Sequence, residues 1–133
     1  MITISTDKTK LQINVIHSFL TNSYWAKGRT VSEVKKTIEN CLCFGVYIND
    51  NQIGFGRVAT DYTVFAYLMD IFILPEHRGN GYSKKLIETI TQVKELQQCK
   101  TWMLKTKDAQ GLYKQYGFTE LKHPERVLER ILK

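Results

Sequence analysis

A glycine turn lies between an apolar segment and a segment with helical periodicity. The turn is residues 78–81, RGNG, preceded by the apolar run of residues 64–74 and followed by the periodic residues 82–93. Where a glycine turn opens a helix, the first backbone N–H groups have no partners and the helix dipole adds partial positive charge. Phosphate is a favoured ligand at such a place. Residues 78–83 are therefore predicted to bind a phosphate group.

Two common nucleotide-binding motifs do not fit this turn. A Walker A loop needs a longer spacing between its glycines, closed by Gly-Lys-Ser or Gly-Lys-Thr. The dinucleotide fingerprint needs a third glycine where this chain has Lys84. Gly79 and Gly81 still permit positive φ angles and a close approach of the backbone to a ligand. The turn is thus predicted to hold phosphate in a different kind of site.

Asp70 is the only charged residue in the apolar run of residues 64–74. Burial raises the pKa of a carboxylate unless a cation or a hydrogen-bond donor compensates for the lost solvation. A carboxylate in such surroundings is a candidate general base or substrate-binding group. The alternative is that Asp70 faces solvent or pairs with an arginine or a lysine.

Two segments resemble motifs of the GNAT superfamily of N-acetyltransferases. Residues 75–86, PEHRGNGYSKKL, resemble its motif A, Gln/Arg-x-x-Gly-x-Gly/Ala; Arg78 and Gly81 match, and Ser83 stands where the family usually has Gly or Ala. Residues 109–118, AQGLYKQYGF, resemble the Ala-x-x-Leu-Tyr-x-x-x-Gly-Phe segment of that family. The two motifs lie in the family's order, and the resemblance is to its small bacterial members.

The resemblance implies acetyl transfer from acetyl-CoA, as co-substrate, to an amine by direct attack in a ternary complex, without a metal. That reaction requires proton removal from the amine and protonation of the leaving thiolate. The resemblance implies Tyr113 as the general acid, and Asp70 is the candidate base. The implied contacts to acetyl-CoA lie at the end of the strand, in the turn and at Tyr113: Ile71, Phe72, Ile73, Arg78, Gly79, Asn80, Gly81, Tyr82, Ser83 and Tyr113.

The acceptor amine is implied to bind beside two loops. Relatives build the acceptor pocket at positions that correspond here to the loop between two predicted helices and to the meander of predicted strands. Aromatic faces and carboxylates there suit a cationic amine. A small amine, an amino acid, an antibiotic, a peptide N-terminus and a protein lysine all remain open as acceptors. The implied substrate-binding residues are Tyr24, Trp25, Arg29, Asp61 and Tyr67.

Hydrophobic periodicity and turn signals predict the elements that position these residues. The expected order is βααβββαβαβ, an α/β (mixed α+β) fold whose mixed, mostly antiparallel sheet carries helices on both faces. This order is that of the GNAT fold. The capping box of residues 30–33, TVSE, is expected to start the second helix, with Val31, Val34 and Ile38 directed inward.

The last third of the chain carries three further expectations. Asp108 is expected to cap a short helix that contains Tyr113, and residues 118–121 are expected to begin a final strand. The tail, residues 127–132, is mixed in charged and apolar residues and is left open as helical or extended.

Composition limits the class of protein. The chain has 133 residues, 43% of them hydrophobic, and a net charge of +6. We expect one domain over residues 1–133, located in the cytoplasm, because no apolar run is long enough to cross a membrane and the N-terminus does not resemble a signal peptide. The three cysteines are expected to be buried and reduced, and the scattered histidines suggest no metal site.

Two other functions fit parts of the sequence. One is an acyl-CoA-binding sensor module without turnover; the other is a basic nucleic-acid-binding protein, which the dispersed lysines do not favour. The expected partner is a small-molecule or peptide amine, with neither nucleic acid nor membrane. A homodimer is left open, since members of the resembled family often dimerise.

Overall fold

The computed structural model describes residues 1–132. Strands and helices follow each other in the predicted order as far as the last helix. They are β1 (Thr3–Ser5), α1 (Ile13–Thr21), α2 (Val31–Asn40), β2 (Leu42–Ile48), β3 (Asn51–Thr60), β4 (Phe65–Ile73), α3 (Tyr82–Gln92), β5 (Thr101–Leu104) and α4 (Gln110–Lys114).

The five strands form one mixed sheet in the order β1-β2-β3-β4-β5. The first four strands pair antiparallel with their neighbours, whereas β4 and β5 pair parallel. A parallel pair needs a crossover connection, and α3 supplies it. The mixed, mostly antiparallel sheet predicted from the sequence is confirmed.

Helices cover both faces of the sheet, as predicted. Leu86 and Ile90 of α3 belong to one buried cluster, which also contains Phe44 of β2. Ile16 of α1 belongs to a second cluster, in which Cys43, the residue next to Phe44, takes part. Adjacent strand residues point to opposite faces of a sheet, so the two clusters lie on either side of it.

Local signals set the start of α2. The side chain of Thr30 accepts a hydrogen bond from the backbone N–H of Glu33, and the Glu33 carboxylate accepts one from the backbone N–H of Thr30. The predicted capping box is therefore confirmed. Val34 and Ile38 are buried, but Val31 is 42% exposed, so its predicted inward position is wrong. Val31 is the first residue of the helix and lies beyond the sheet-facing stripe.

The predicted final strand does not form within the described residues. Residues 118–121 have neither strand nor helix structure, and β5 is the last strand of the sheet. The Phe118 ring instead packs against the Tyr113 ring, with 5.9 Å between centroids. Pro124, which has no backbone N–H to donate to a strand partner, then starts a short 3₁₀ turn. Residues 127–132 also have neither helix nor strand structure.

One boundary prediction near the C-terminus is also wrong. Asp108 does not cap α4, because Ala109 occupies the cap position and makes no side-chain hydrogen bond there. Ala109 instead donates its backbone N–H to the Thr106 hydroxyl at 3.1 Å.

Among the helices of residues 1–132, none is both long and apolar enough to cross a membrane.

The capping box predicts a measurable loss of stability. Thr30→Ala leaves the Glu33 N–H without its acceptor, and we expect the free energy of unfolding in urea to fall by about 1 kcal/mol. Ser32→Ala, an exposed change in the same helical turn, is the control and is expected to change stability by less than about 0.5 kcal/mol. An equal change in the free energy of unfolding for the two substitutions would show that the Thr30 cap does not stabilise the helix.

Candidate active site

A cleft of about 1280 Å³ opens beside the end of β4. Its walls come from α1, the loop between α1 and α2, the second half of β4 with the turn that follows, and the segment from β5 to Tyr113. The cleft brings together most of the residues predicted for cofactor, acceptor and catalysis. The predicted residues that line it are Tyr24, Trp25, Arg29, Tyr67, Asp70, Ile71, Phe72, Ile73, Arg78, Ser83 and Tyr113.

The floor of the cleft is an unpaired strand edge. β5 pairs with β4 only from Phe65 to Leu68, and it ends at Leu104, opposite Leu68. β4 continues to Ile73, and beyond Leu68 no strand within residues 1–132 pairs with this edge. Backbone N–H and C=O groups on such an edge are available to an extended ligand.

A β-bulge interrupts β4 at Asp70. While β3 advances from Phe55 to Arg57, its partner positions on β4 run from Phe72 to Met69, one residue more. Asp70 has a φ of +54°, in the left-handed region. Aspartate enters that region more readily than most residues, although the conformation is still uncommon. The bulge thus places an uncommon backbone conformation at the centre of the cleft floor.

Three donors hold the Asp70 carboxylate. Arg57 on β3 donates through Nε to Oδ2 at 2.7 Å, and Arg29 donates through Nη1 to the same oxygen at 2.5 Å. Trp25 donates through Nε1 to Oδ1 at 2.8 Å. Asp70 is 6% exposed, so this cluster of four side chains is a largely buried ion pair between the strands and the α1–α2 loop.

The three donors determine how Asp70 titrates. Burial raises the pKa of the carboxyl, but the Arg57 and Arg29 guanidinium groups and the Trp25 hydrogen bond outweigh it. The pKa of Asp70 therefore lies below its ordinary value. Of the two alternatives that the sequence leaves open, pairing with arginine is the one found. An ionised carboxylate with both oxygens occupied is a weak proton acceptor.

The glycine turn has the backbone geometry expected of it. Gly79 and Gly81 have φ angles of +85° and +78°, and a Cβ atom on either would meet nothing within 4 Å. Gly81 precedes the first residue of α3 and provides no side-chain cap, so the first N–H groups of this helix keep their capacity to bind a ligand. Arg78 donates through Nε to the Ile73 carbonyl at 3.0 Å and ties the turn to the end of β4.

Not every residue of the turn lines the cleft. Arg78 does, as does Ser83 in the first turn of α3, whereas Gly79, Asn80 and Gly81 lie outside the lining. The Asn80 side chain donates to the His77 carbonyl at 3.2 Å within the turn itself.

Tyr82 lies outside the cleft lining as well. Its side chain packs, partly buried, against the cluster on the α3 side of the sheet. The structure therefore gives Tyr82 a packing contact. Contact between its side chain and a ligand stays a prediction from the sequence.

Tyr113 on α4 lies in the wall of the cleft. Burial raises the pKa of its phenol to about 12, so the hydroxyl is protonated throughout the neutral range. Within residues 1–132 the hydroxyl makes no hydrogen bond to protein. A protonated phenol with a free O–H is suited to donate a proton to a ligand in the cleft.

Asp61 is not among the residues that line the cleft, and its contact with a substrate stays a prediction from the sequence. Its Oδ1 accepts hydrogen bonds from the backbone N–H groups of Thr63 at 2.9 Å, Val64 at 2.7 Å and Phe65 at 3.2 Å. These hydrogen bonds lower the pKa of the carboxyl, and the bond from Val64 has the largest effect. The side chain thus shapes the turn between β3 and β4, as aspartate often does.

A family comparison identifies the protein family. A model described as an acetyltransferase (GNAT) domain matches residues 39–120, which is more than half of the chain and includes both motifs. The chain belongs to the GNAT acetyltransferase family. Acetyl transfer is the chemistry of the GNAT family, and the family uses acetyl-CoA.

Individual relatives agree with the GNAT assignment. A GNAT-family protein from Xanthomonas campestris pv. campestris has 42% identity and a TM-score of 0.96, over 99% of this chain and 94% of that one. A candidate acetyltransferase of Gibberella zeae is 27% identical over 109 residues, 67% of this chain; the match spans 62% of that curated relative's length. A Clostridium acetobutylicum protein solved with acetyl-CoA has 15% identity and a TM-score of 0.72, over 98% and 96% of the two chains, and shows likeness of fold.

Sequence reasoning missed Arg57, the most buried partner of Asp70 in this GNAT domain. Arg57 is 6% exposed and also donates through Nη1 to the Cys41 sulfur at 3.3 Å. One signal was present, because Arg57 and Asp70 are lone opposite charges in two strands predicted to be neighbours. The three cysteines are free and buried, as predicted. Within residues 1–132, no group of three His, Cys, Asp or Glu residues could hold a metal ion.

The buried cluster predicts a stability change that depends on pH. Asp70→Asn leaves two guanidinium groups without their counter-charge, and we expect a loss of about 3 to 5 kcal/mol in the free energy of unfolding at pH 7. The pKa of Asp70 is lower in the folded state than its ordinary value of 3.8. Its contribution to the free energy of unfolding is therefore fully present above pH 3.8 and is lost as the pH falls through the lower, folded-state pKa. The difference between wild type and variant should therefore shrink as the pH falls below that range.

Urea unfolding at a series of pH values measures this difference. Asp50→Asn, an exposed change in the turn between β2 and β3, is the control and should track the wild type. An Asp70→Asn variant as stable as the wild type at pH 7 would show that the cluster does not stabilise the fold.

Proposed function

We propose that this protein is an N-acetyltransferase that transfers the acetyl group of acetyl-CoA to an amine by direct attack in a ternary complex. The observation that carries the proposal is the cleft itself. Arg78 of the glycine turn and Ser83 of α3 lie at one end of it, and the unpaired edge of β4 runs along its floor. Its walls carry a protonated tyrosine and an aromatic loop.

Acetyl-CoA fits the groups present. The N–H groups at the start of α3, with the Arg78 guanidinium, suit its pyrophosphate. Ile71, Phe72 and Ile73 lie in the part of β4 whose outer edge pairs with no strand, and this edge suits the amide groups of its pantetheine arm. The Ile73 carbonyl is excepted, because it accepts a hydrogen bond from Arg78. The open space at Gly79 and Gly81 lets a phosphate approach the backbone closely.

The proposed reaction forms one bond and breaks another. The amine nitrogen attacks the thioester carbon, so that a C–N bond forms as the C–S bond breaks. Tyr113 donates its phenolic proton to the leaving thiolate. The nitrogen loses a proton to solvent, and the phenol regains one, so charge and atoms balance.

Asp70 has a positioning role in this proposal rather than that of the base. Its carboxylate holds Arg57, Arg29 and Trp25 in one cluster, so it fixes the α1–α2 loop against the bulge in β4. The bulge in turn sets the direction of the backbone groups that follow it, at the place where the thioester would lie.

Several features of the sequence interpretation belong to this proposal. They are the acetylation of nitrogen, a single domain over residues 1–133, a bacterial source and a cytoplasmic location, with a homodimer left open. Tyr24, Trp25, Arg29 and Tyr67 are the proposed acceptor contacts, and all four line the cleft.

The role of Tyr113 is tested by removal of its hydroxyl. Thiol release from acetyl-CoA is measured with a panel of amines, and we expect Tyr113→Phe to lower kcat by about 10² to 10⁴ with little change in the KM for acetyl-CoA. Tyr116→Phe is the matched control, because Tyr116 lies outside the cleft lining, and it should retain the wild-type rate. Unchanged kcat in Tyr113→Phe on every active acceptor would exclude the acid role.

The glycine turn is tested by binding alone. Gly79→Ala puts a side chain on a residue whose φ is +85°, and we expect the turn to shift and the Kd for acetyl-CoA to rise at least about tenfold. Gly28→Ala is the control: its φ is +83° and its surroundings are equally open, but it lies in the loop between α1 and α2 and not in the turn before α3. Both variants should lose about 1 kcal/mol of stability, but only Gly79→Ala should weaken binding in calorimetry. Equal Kd values of the two variants for acetyl-CoA would show that this turn does not bind the phosphate groups.

A further inference from the structure

The carboxylates expected to bind a cationic acceptor are occupied elsewhere. Asp61 is bonded to backbone N–H groups in the turn between β3 and β4. Asp70 is bonded to Trp25 and two arginines. Neither carboxylate is free to receive the positive charge of an amine substrate.

The buried cluster has an excess of positive charge. Two guanidinium groups face one carboxylate, which leaves a net charge of +1. The Arg57 side chain is 7% exposed, whereas that of Arg29 is 20% exposed and lines the cleft. The uncompensated positive charge therefore reaches the cleft at Arg29.

Arg29 presents a free edge to a ligand. Its Nη1 donates to Asp70, while its Nε and Nη2 make no hydrogen bond to any residue from 1 to 132. Both atoms are accessible to solvent, because the Tyr47 hydroxyl is the only buried side-chain polar atom without a partner in that part of the chain. The Nε and Nη2 donors lie on one edge of the guanidinium plane, and such an edge binds a carboxylate or phosphate through two parallel hydrogen bonds.

Other charged groups of the cleft do not reverse this sign. Its cations include Lys107, whose ammonium lies 5.0 Å from the centre of the Tyr24 ring, and Lys105, which is paired with Glu129. Arg78 belongs to the glycine turn. The remaining carboxylates in the lining are Glu76, next to the glycine turn, and Asp108, next to Lys107.

From this charge balance, we propose that the acceptor is an amine that carries an anionic group, a carboxylate or a phosphate, and that the free edge of Arg29 binds that group. The inference rests on the proposed acetyl transfer, because it names the class of acceptor for that site. Asp70 holds the guanidinium in place before the ligand arrives, so little side-chain entropy is lost on binding. Arg29 is thus the residue that selects the acceptor by its charge.

The test compares pairs of amines that differ in the anionic group. Calorimetry on the protein saturated with CoA measures binding of β-alanine against β-alaninamide, of 2-aminoethyl phosphate against 2-aminoethanol, and of 1,3-diaminopropane as a dication. We expect at least one anionic probe to bind about tenfold or more tightly than its neutral partner. If the β-alanine pair shows the larger ratio of affinities, the anionic group of the acceptor is a carboxylate; if the 2-aminoethyl phosphate pair does, it is a phosphate.

Variants assign the preference to Arg29. Arg29→Gln keeps a donor for Asp70 but removes the charged edge, and it should abolish the preference. Arg29→Lys keeps the charge without the two-pronged geometry and should restore part of it. Lys27→Gln, an exposed cation of the same loop outside the cleft lining, is the control and should retain the whole preference.

The outcomes separate this inference from the proposed function. Equal or tighter binding of the neutral or dicationic amines, no binding of either anionic probe at millimolar concentration, or a preference that survives in Arg29→Gln would each overturn the inference. Acetyl transfer to neutral amines alone would overturn it and leave the proposed function intact. Binding with the expected preference but without thiol release from acetyl-CoA would support the charge selection at Arg29 and refute turnover.

Discussion

The structure depends on one buried carboxylate. Asp70 lies where strand β4 departs from regular pairing, and its two oxygens accept hydrogen bonds from Arg57, Arg29 and Trp25. A buried charge is costly unless its partners replace the hydration that it loses. Here the partners come from the neighbouring strand and from the loop between two helices. A single side chain therefore joins the sheet to the loop that covers it.

The bulge at Asp70 explains why side chains at either end of β4 do not follow one regular alternation between the two faces of the sheet. Leu68 and Phe72 are four residues apart and would share a face in a regular strand, yet Leu68 packs in the α3 cluster and Phe72 in the α1–α2 cluster. The extra residue reverses the alternation of side chains. It does so next to the unpaired edge of β4, so the core packing and the cleft floor have the same origin.

Each part of the cleft is attached to the core of the fold. Its floor is a strand of the central sheet, and the loop between α1 and α2 is attached to that strand by the ion pair at Asp70. The glycine turn is held at the end of that strand by Arg78 and continues into α3, whose Leu86 and Ile90 are buried in the core. Preorganised donors of this kind favour a ligand because they need little rearrangement to bind it.

The sequence by itself determined the features that depend on local pattern. These include the order of the elements through α4, the capping box at Thr30, the glycine turn before α3 and the GNAT motifs, because each is encoded in residues close together in the chain. Tertiary structure decided the rest. Which residue faces Asp70 depends on the register across a bulge, which a periodic pattern does not contain. Whether residues 118–121 add a strand, and whether Asp61 reaches the cleft, depend on competing contacts made only when the chain is folded.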